Sequence, residues 1–170
     1  MAGDNFRLKG IILIRKMQGF PKKGIFSRDD DFNQWYRNEA WNNMKKNFSV
    51  VYEYVDGTDV LGFATASMNA FKIDIFAKKF KIPAVLLGKI AVNDSEEAKQ
   101  KKVAKMLIGH IIKLANEEKE KIGCRIVVVQ VRHKNGEPNH KLIKYYEKFG
   151  FEKCDQTKKY VTLFFDLNDI

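Results

Sequence analysis

The chain has 170 residues, 45% of them hydrophobic and 31% charged, which predicts one globular domain spanning 1–170 and excludes a disordered polyelectrolyte. Two cysteines are too few for a disulfide framework or a zinc site, so no metal is expected. No apolar run reaches the roughly 20 residues of a membrane helix, and the apolar stretch at 10–14 is too short for a signal-peptide core, so a cytoplasmic protein away from membranes is expected.

A strand is predicted over 6–14, and Gly19, Pro21 and Gly24 make 16–29 a loop or a broken helix. Asp29, Asp30 and Asp31 offer capping oxygens and negative charge for a helix start. Phe32, Trp35, Tyr36, Ala40 and Met44 then recur at helical spacing, predicting one helix. From Phe48 the period becomes two, giving a strand at 50–55, a turn at 56–59 and a hairpin partner at 60–68. A linker with Lys78, Lys79 and Lys81 leads to a strand over 84–92, which Asn93, Asp94 and Ser95 close.

Ser95 with Glu96 and Glu97 predicts a long helix reaching about Lys119, whose apolar stripe is Val103, Leu107, Ile111 and Leu114. A β-branched strand at 125–131, a loop at 133–138, a helix at 139–148 and a final strand around 160–166 complete the order. The excess of 31 Lys plus Arg over 21 Asp plus Glu gives a net charge of +10, concentrated in 1–50 and 101–170. Such a surface attracts polyanions, and lysines solvated on helix faces give the same excess.

The run Tyr145-Tyr146-Glu147-Lys148-Phe149-Gly150-Phe151, with Asn139 seven residues before Tyr146, follows the strand Pro83 to Val92 at the distance found in the GNAT N-acetyltransferases, and the chain resembles that family over almost its whole length. In the toxin branch of toxin–antitoxin pairs the same strand reads proline, apolar residues, Leu-Gly, a basic residue, Leu-Ala-Val. Here Lys89 is the basic residue, and the aromatic segment 31–40 followed by Val60-Leu61-Gly62-Phe63-Ala64 is similar to that branch as well. The resemblance implies an α/β (α+β) fold with a mixed, mostly antiparallel central sheet flanked by helices. It also implies acetyl-CoA as co-substrate.

Within that resemblance Tyr146 is the general acid for the departing thiolate, since a phenol and a thiol are matched in proton affinity. Ala91, Val92 and Asn93 contribute backbone groups to the pantetheine arm and the oxyanion, and Asn139 touches the cofactor. Aligning Val103 and Ala104 with the end of the family's Arg/Gln-x-x-Gly-x-Gly/Ala phosphate loop puts Lys99 first, Lys101 next to the centre and Lys102 in place of the central glycine. A helix running unbroken from Ser95 through Lys102 would close that anion pocket. No carboxylate base stands out; Glu53 and Asp74 qualify only if the fold brings them to the amine. His110, His133 and His140 have no metal spacing, and Cys124 and Cys154 read as unpaired thiols.

Two functions remain open from the residues. One is an acetyltransferase for a primary amine, with aminoacyl-tRNA as the acceptor the toxin branch implies. The other is a catalytically inactive GNAT-shaped module that binds RNA or a protein partner. The partners implied are tRNA or another polyanion, and an antitoxin or a second copy of the chain.

Overall fold

The computed structural model describes residues 12–75 and 78–170. Seven strands form a mixed sheet in the order β1-β2-β3-β4-β5-β7-β6, joined by helices, as expected for the GNAT fold. The contacts divide the chain into two compact units, one reaching to Ala64 and including Ile90–Leu107, the other Thr65–Lys89 with Ile108–Ile170.

In the first unit β1 (Ile12–Lys16) pairs antiparallel with β2 (Val50–Asp56), Ile12 opposite Asp56 and Lys16 opposite Tyr52. The predicted strand at 6–14 therefore lies partly outside the described residues. Asp29 caps α1 (Asp30–Asn38) by accepting from the Phe32 amide at 3.1 Å. The single helix expected through Met44 is two, because Asn38, a weak helix former, ends α1, and Glu39 leaves helical geometry before α2 (Ala40–Lys45). Asn47, in the left-handed region at φ 56°, closes α2, with the Phe48 amide reaching back to the Asn43 carbonyl at 3.0 Å. Beneath these helices lie Met17, Ile25, Tyr36, Ala40, Val51, Phe63 and Ala91, with the Tyr36 ring stacked 4.8 Å from Phe63.

The turn at Gly57 (φ +60°) sends the chain into β3 (Asp59–Ile75), longer than the hairpin partner expected. The residues read as a lysine linker belong instead to β4 (Lys78–Val92). The β-branched and aromatic residues of this segment outweigh its lysines in strand preference.

In the second unit β4 pairs parallel with β5 (Ile126–Arg132), and β5 pairs antiparallel with β7 (Tyr160–Asp166) along its whole length. The outer strand β6 (Glu152–Gln156) pairs with β7 through a register shift between Lys153 and Asp155, which leaves Cys154 in the bulge. A buried cluster of Ile82, Ala84, Ile126 and Val128 fills one face. Asn135 and Gly136, both at positive φ, make the tight turn whose ends exchange hydrogen bonds between Lys134 and Glu137. Asn139 then caps α5 (His140–Glu147) by accepting from the Leu142 amide at 3.2 Å.

Candidate active site

The helix predicted from Ser95 to Lys119 is broken. Ser95 does cap a short helix, α3 (Glu96–Gln100), accepting from the Ala98 amide at 3.2 Å. Lys102 then takes the left-handed conformation at φ 52°, and a second helix, α4 (Val103–Ile122), begins after it. Lys102 thus holds the backbone geometry that ordinarily selects glycine at the end of a helix. The amides of Val103, Ala104 and Lys105 open α4 ahead of its first internal bond, from the Met106 amide to the Lys102 carbonyl at 3.0 Å, and no acidic residue stands in that first turn. Free amides at the positive end of a twenty-residue helix suit the phosphates of a nucleotide-bearing co-substrate. The unbroken helix expected from Ser95 through Lys102 is therefore not formed: α3 ends at Gln100 and α4 starts at Val103.

The lysines around this junction divide. Lys101 is paired with Asp56, the last residue of β2, and with Glu97 at 2.8 Å. Lys99 meets Glu96 at 2.7 Å and Asp94 at 3.7 Å. These carboxylates hold Lys99 and Lys101 in the scaffold, whereas Lys102 has no ion pair among the described residues and its side chain is exposed.

The end of β4 lies against the same helix start. A side chain at Gly62 would sit 2.9 Å from both the Ala91 carbonyl oxygen and Val103 Cγ1, and 3.2 Å from Val92 Cγ2, so only glycine allows this approach. Gly62 thereby brings three of the expected site residues, Ala91, Val92 and Val103, around one point. Ala91 and Val103 are buried, and Val92 and Ala104 are half-buried. Asn93 departs from expectation: its amide donates to the Leu61 carbonyl at 2.8 Å, so it is not open to an oxyanion. Its carboxamide instead accepts from the Phe26 amide at 2.9 Å and donates to the Val60 carbonyl at 3.3 Å.

In the second unit the parallel ladder runs from Ala84 opposite Ile126 to Leu87 opposite Val129 and stops, although β5 continues to Arg132 and β4 goes on beyond Leu87. At that point the Lys89 amide donates to the buried Thr65 hydroxyl at 2.8 Å, and a Cβ on Gly88 would lie 2.9 Å from the same oxygen. Thr65 and Gly88 thus fix the backbone of β4 where its pairing with β5 ends, a contact for which the Leu-Gly step is the signal in the sequence.

Tyr146 lies on α5 with 2% of its surface exposed, edge-on to Phe151 at 5.6 Å and to Tyr145 at 6.0 Å. Burial first, and then the neighbouring Tyr145, push its phenol well above the ordinary range, so it keeps its proton at neutral pH but is a weaker acid than the ordinary phenol that matches a thiol. Gly150, at φ +89°, turns the chain so that the Phe151 amide reaches the Tyr146 carbonyl at 3.3 Å. Asn139 lies at the start of the same helix, where its side-chain oxygen serves as the cap.

Glu53 is buried beneath Tyr36, whose hydroxyl donates to it at 2.7 Å, with Arg15 Nε at 3.4 Å, so it is held as a structural acceptor. The side chain of Asp74 lies outside the described residues. Burial pushes the His110 imidazole down and the Cys124 thiol up, and burial together with Asp155 pushes the Cys154 thiol up to about 11. Among the described residues there is no cluster of three or more metal-ligating side chains, and no helix is long and apolar enough to cross a membrane.

The profile of the Acetyltransferase (GNAT) family matches residues 15–151. Among solved structures, the chain is similar to a tyrosine-to-phenylalanine mutant of the toxin AtaT bound to the C-terminus of the antitoxin AtaR and acetyl-CoA (TM-score 0.75, 16% identity, 94% of this chain and 95% of that one). It is similar also to a tyrosine-to-phenylalanine mutant of KacT (TM-score 0.77, 16% identity, 93% and 96% covered). A third is AtaT complexed with acetyl-methionyl-tRNAfMet (TM-score 0.72, 16% identity, 94% and 96% covered). These likenesses establish a shared fold. No curated protein matches the chain in sequence.

Proposed function

The chain belongs to the GNAT acetyltransferase family, and from that membership we propose that it transfers an acetyl group from acetyl-CoA to a primary amine, the amino group of an aminoacyl-tRNA being the acceptor. The observation that carries this reading is the break at Lys102. It leaves the first-turn amides of α4 free of carboxylates and adds an exposed ammonium beside them, a place fitted to phosphate oxygens. Acetyl-CoA supplies the acetyl group when bound. As the carbon–nitrogen bond forms and the carbon–sulfur bond breaks, the amine nitrogen gives up one proton to solvent, Tyr146 donates its phenol proton to the departing sulfur, and the tyrosinate regains a proton from solvent. The aminoacyl-tRNA acceptor is supported by the tRNA-bound neighbour and by the net charge of +10. An antitoxin partner is supported by the antitoxin-bound one.

A second reading, an inactive module that binds RNA or protein, is favoured by the carboxylates that occupy Lys99 and Lys101. Calorimetry with acetyl-CoA separates the two. Micromolar binding, retained in Tyr146→Phe while acetylation of charged tRNA falls at least about 100-fold, is the expected result. Absence of binding at millimolar acetyl-CoA would sink the transferase reading and leave the module.

A further inference from the structure

The loop that follows β1 has a composition the proposed reaction does not use. From Lys16, the last residue of β1, to Arg28 the chain carries Lys16, Lys22, Lys23 and Arg28 and not one carboxylate. Among these cations are Phe20 and Phe26, which leave 57% and 71% of their surface exposed. Exposure of that kind on a slack loop would mean little, but the Phe26 end of this loop is fastened. The Phe26 amide donates to Asn93 Oδ1 at 2.9 Å, and the Asp94 amide donates to the Phe26 carbonyl at 3.0 Å. The Arg28 guanidinium grips both carboxylate oxygens of Asp94 at 2.8 and 3.0 Å. Ser27 is held from the other side by Asn33 of α1 through its amide, its hydroxyl and its carbonyl, at 3.0, 2.7 and 2.9 Å. Ile25 is buried below while Phe26 points out, so the backbone presents that ring from a fixed base directly beside the end of β4.

A rigid exposed ring has already lost the freedom that binding would otherwise cost. Lys45 Nζ stands over one face of the Phe20 ring, 5.9 Å from its centroid. Lys23 is held by Asp59 at 2.8 Å, whereas Lys16 and Lys22 have no ion pair among the described residues. Aromatic rings set among unpaired lysines match the requirements of single-stranded nucleic acid, whose bases stack and whose phosphates attract ammonium groups. A protein partner fits less well, because lysine is depleted at protein interfaces.

We propose that Phe20 and Phe26 stack on the unpaired bases at the 3′ end of the acceptor RNA, with Lys16 and Lys22 on its phosphates, so that this loop selects an RNA-borne amine over a free one. The inference rests on the tRNA reading of the acceptor and names the residues that recognise it.

Its test is binding of the full chain to a deacylated tRNA and to the same tRNA trimmed of its unpaired 3′ nucleotides. The Phe20→Ala/Phe26→Ala double variant is expected to weaken binding of the intact RNA by about tenfold or more and to leave the trimmed RNA unaffected. Phe26→Trp is expected to retain affinity, and Lys22→Ala to reduce the salt slope by about one. Both rings are exposed, so the thermal midpoint and acetyl-CoA affinity of the double variant serve as its folding control. Wild-type affinity in the double variant, equal losses on both RNAs, or no RNA binding by the unmodified chain would overturn the proposal. Acetylation of charged tRNA by the unmodified chain tests the underlying reading alone. Failure there with ring-dependent RNA binding intact would remove the reaction and leave the surface standing.

Discussion

Tyr36 and Glu53 are the residues whose chemistry pattern reading was least able to assign. Tyr36 was legible as part of an apolar helical stripe, and it is buried as that stripe requires. Its hydroxyl was not legible as the partner of a carboxylate seventeen positions away on β2. Alternation on a strand marks Glu53 as one of two faces, and it cannot say that both faces are covered. Tyr36→Phe removes the shorter of the two bonds drawn for Glu53 and leaves a buried carboxylate with Arg15 at 3.4 Å. The expected cost is about 1–3 kcal/mol, read as a lower urea midpoint with unchanged slope. An unchanged midpoint would mean that the hydroxyl contributes nothing to folding.

Helix starts were easier to see in the sequence than helix ends. Asp29, Ser95 and Asn139 each cap as their residue types predict. The ends at Asn47 and Lys102 depend on left-handed backbone at residues other than glycine, and for Lys102 nothing in its side chain announces it. The cause is tertiary: Lys101 is tied to Asp56, outside its own helix, and Gly62 fixes where Val103 can start the next helix. Lys102→Gly is therefore expected to hold or slightly raise the thermal midpoint. Lys102→Val should lose about 1–2 kcal/mol, since a β-branched residue tolerates this conformation poorly. An unbroken helix would reverse the order, with glycine costing about 1 kcal/mol against its neighbours.

At the scale of the whole chain, the element order was legible because strands and helices alternate with clear punctuation. The strand order was less so, since the return of β7 to lie between β5 and β6 depends on pairings far apart in sequence. The boundaries between the two compact units fall within β3, β4 and α4 and not in loops. Hydrogen bonding along a strand or helix is cooperative, so one unfolding transition is expected, coincident by far-ultraviolet and aromatic circular dichroism. Two separated transitions would show that the units melt independently.

The bulge at Cys154 has a practical consequence. Its thiol, pushed up to about 11, and the buried Cys124, pushed up as well, present almost no thiolate at neutral pH. A third cysteine introduced on the exposed loop between β1 and α1 is therefore expected to take a maleimide dye faster than either native thiol, which makes the chain a suitable background for a single-site fluorescent reporter.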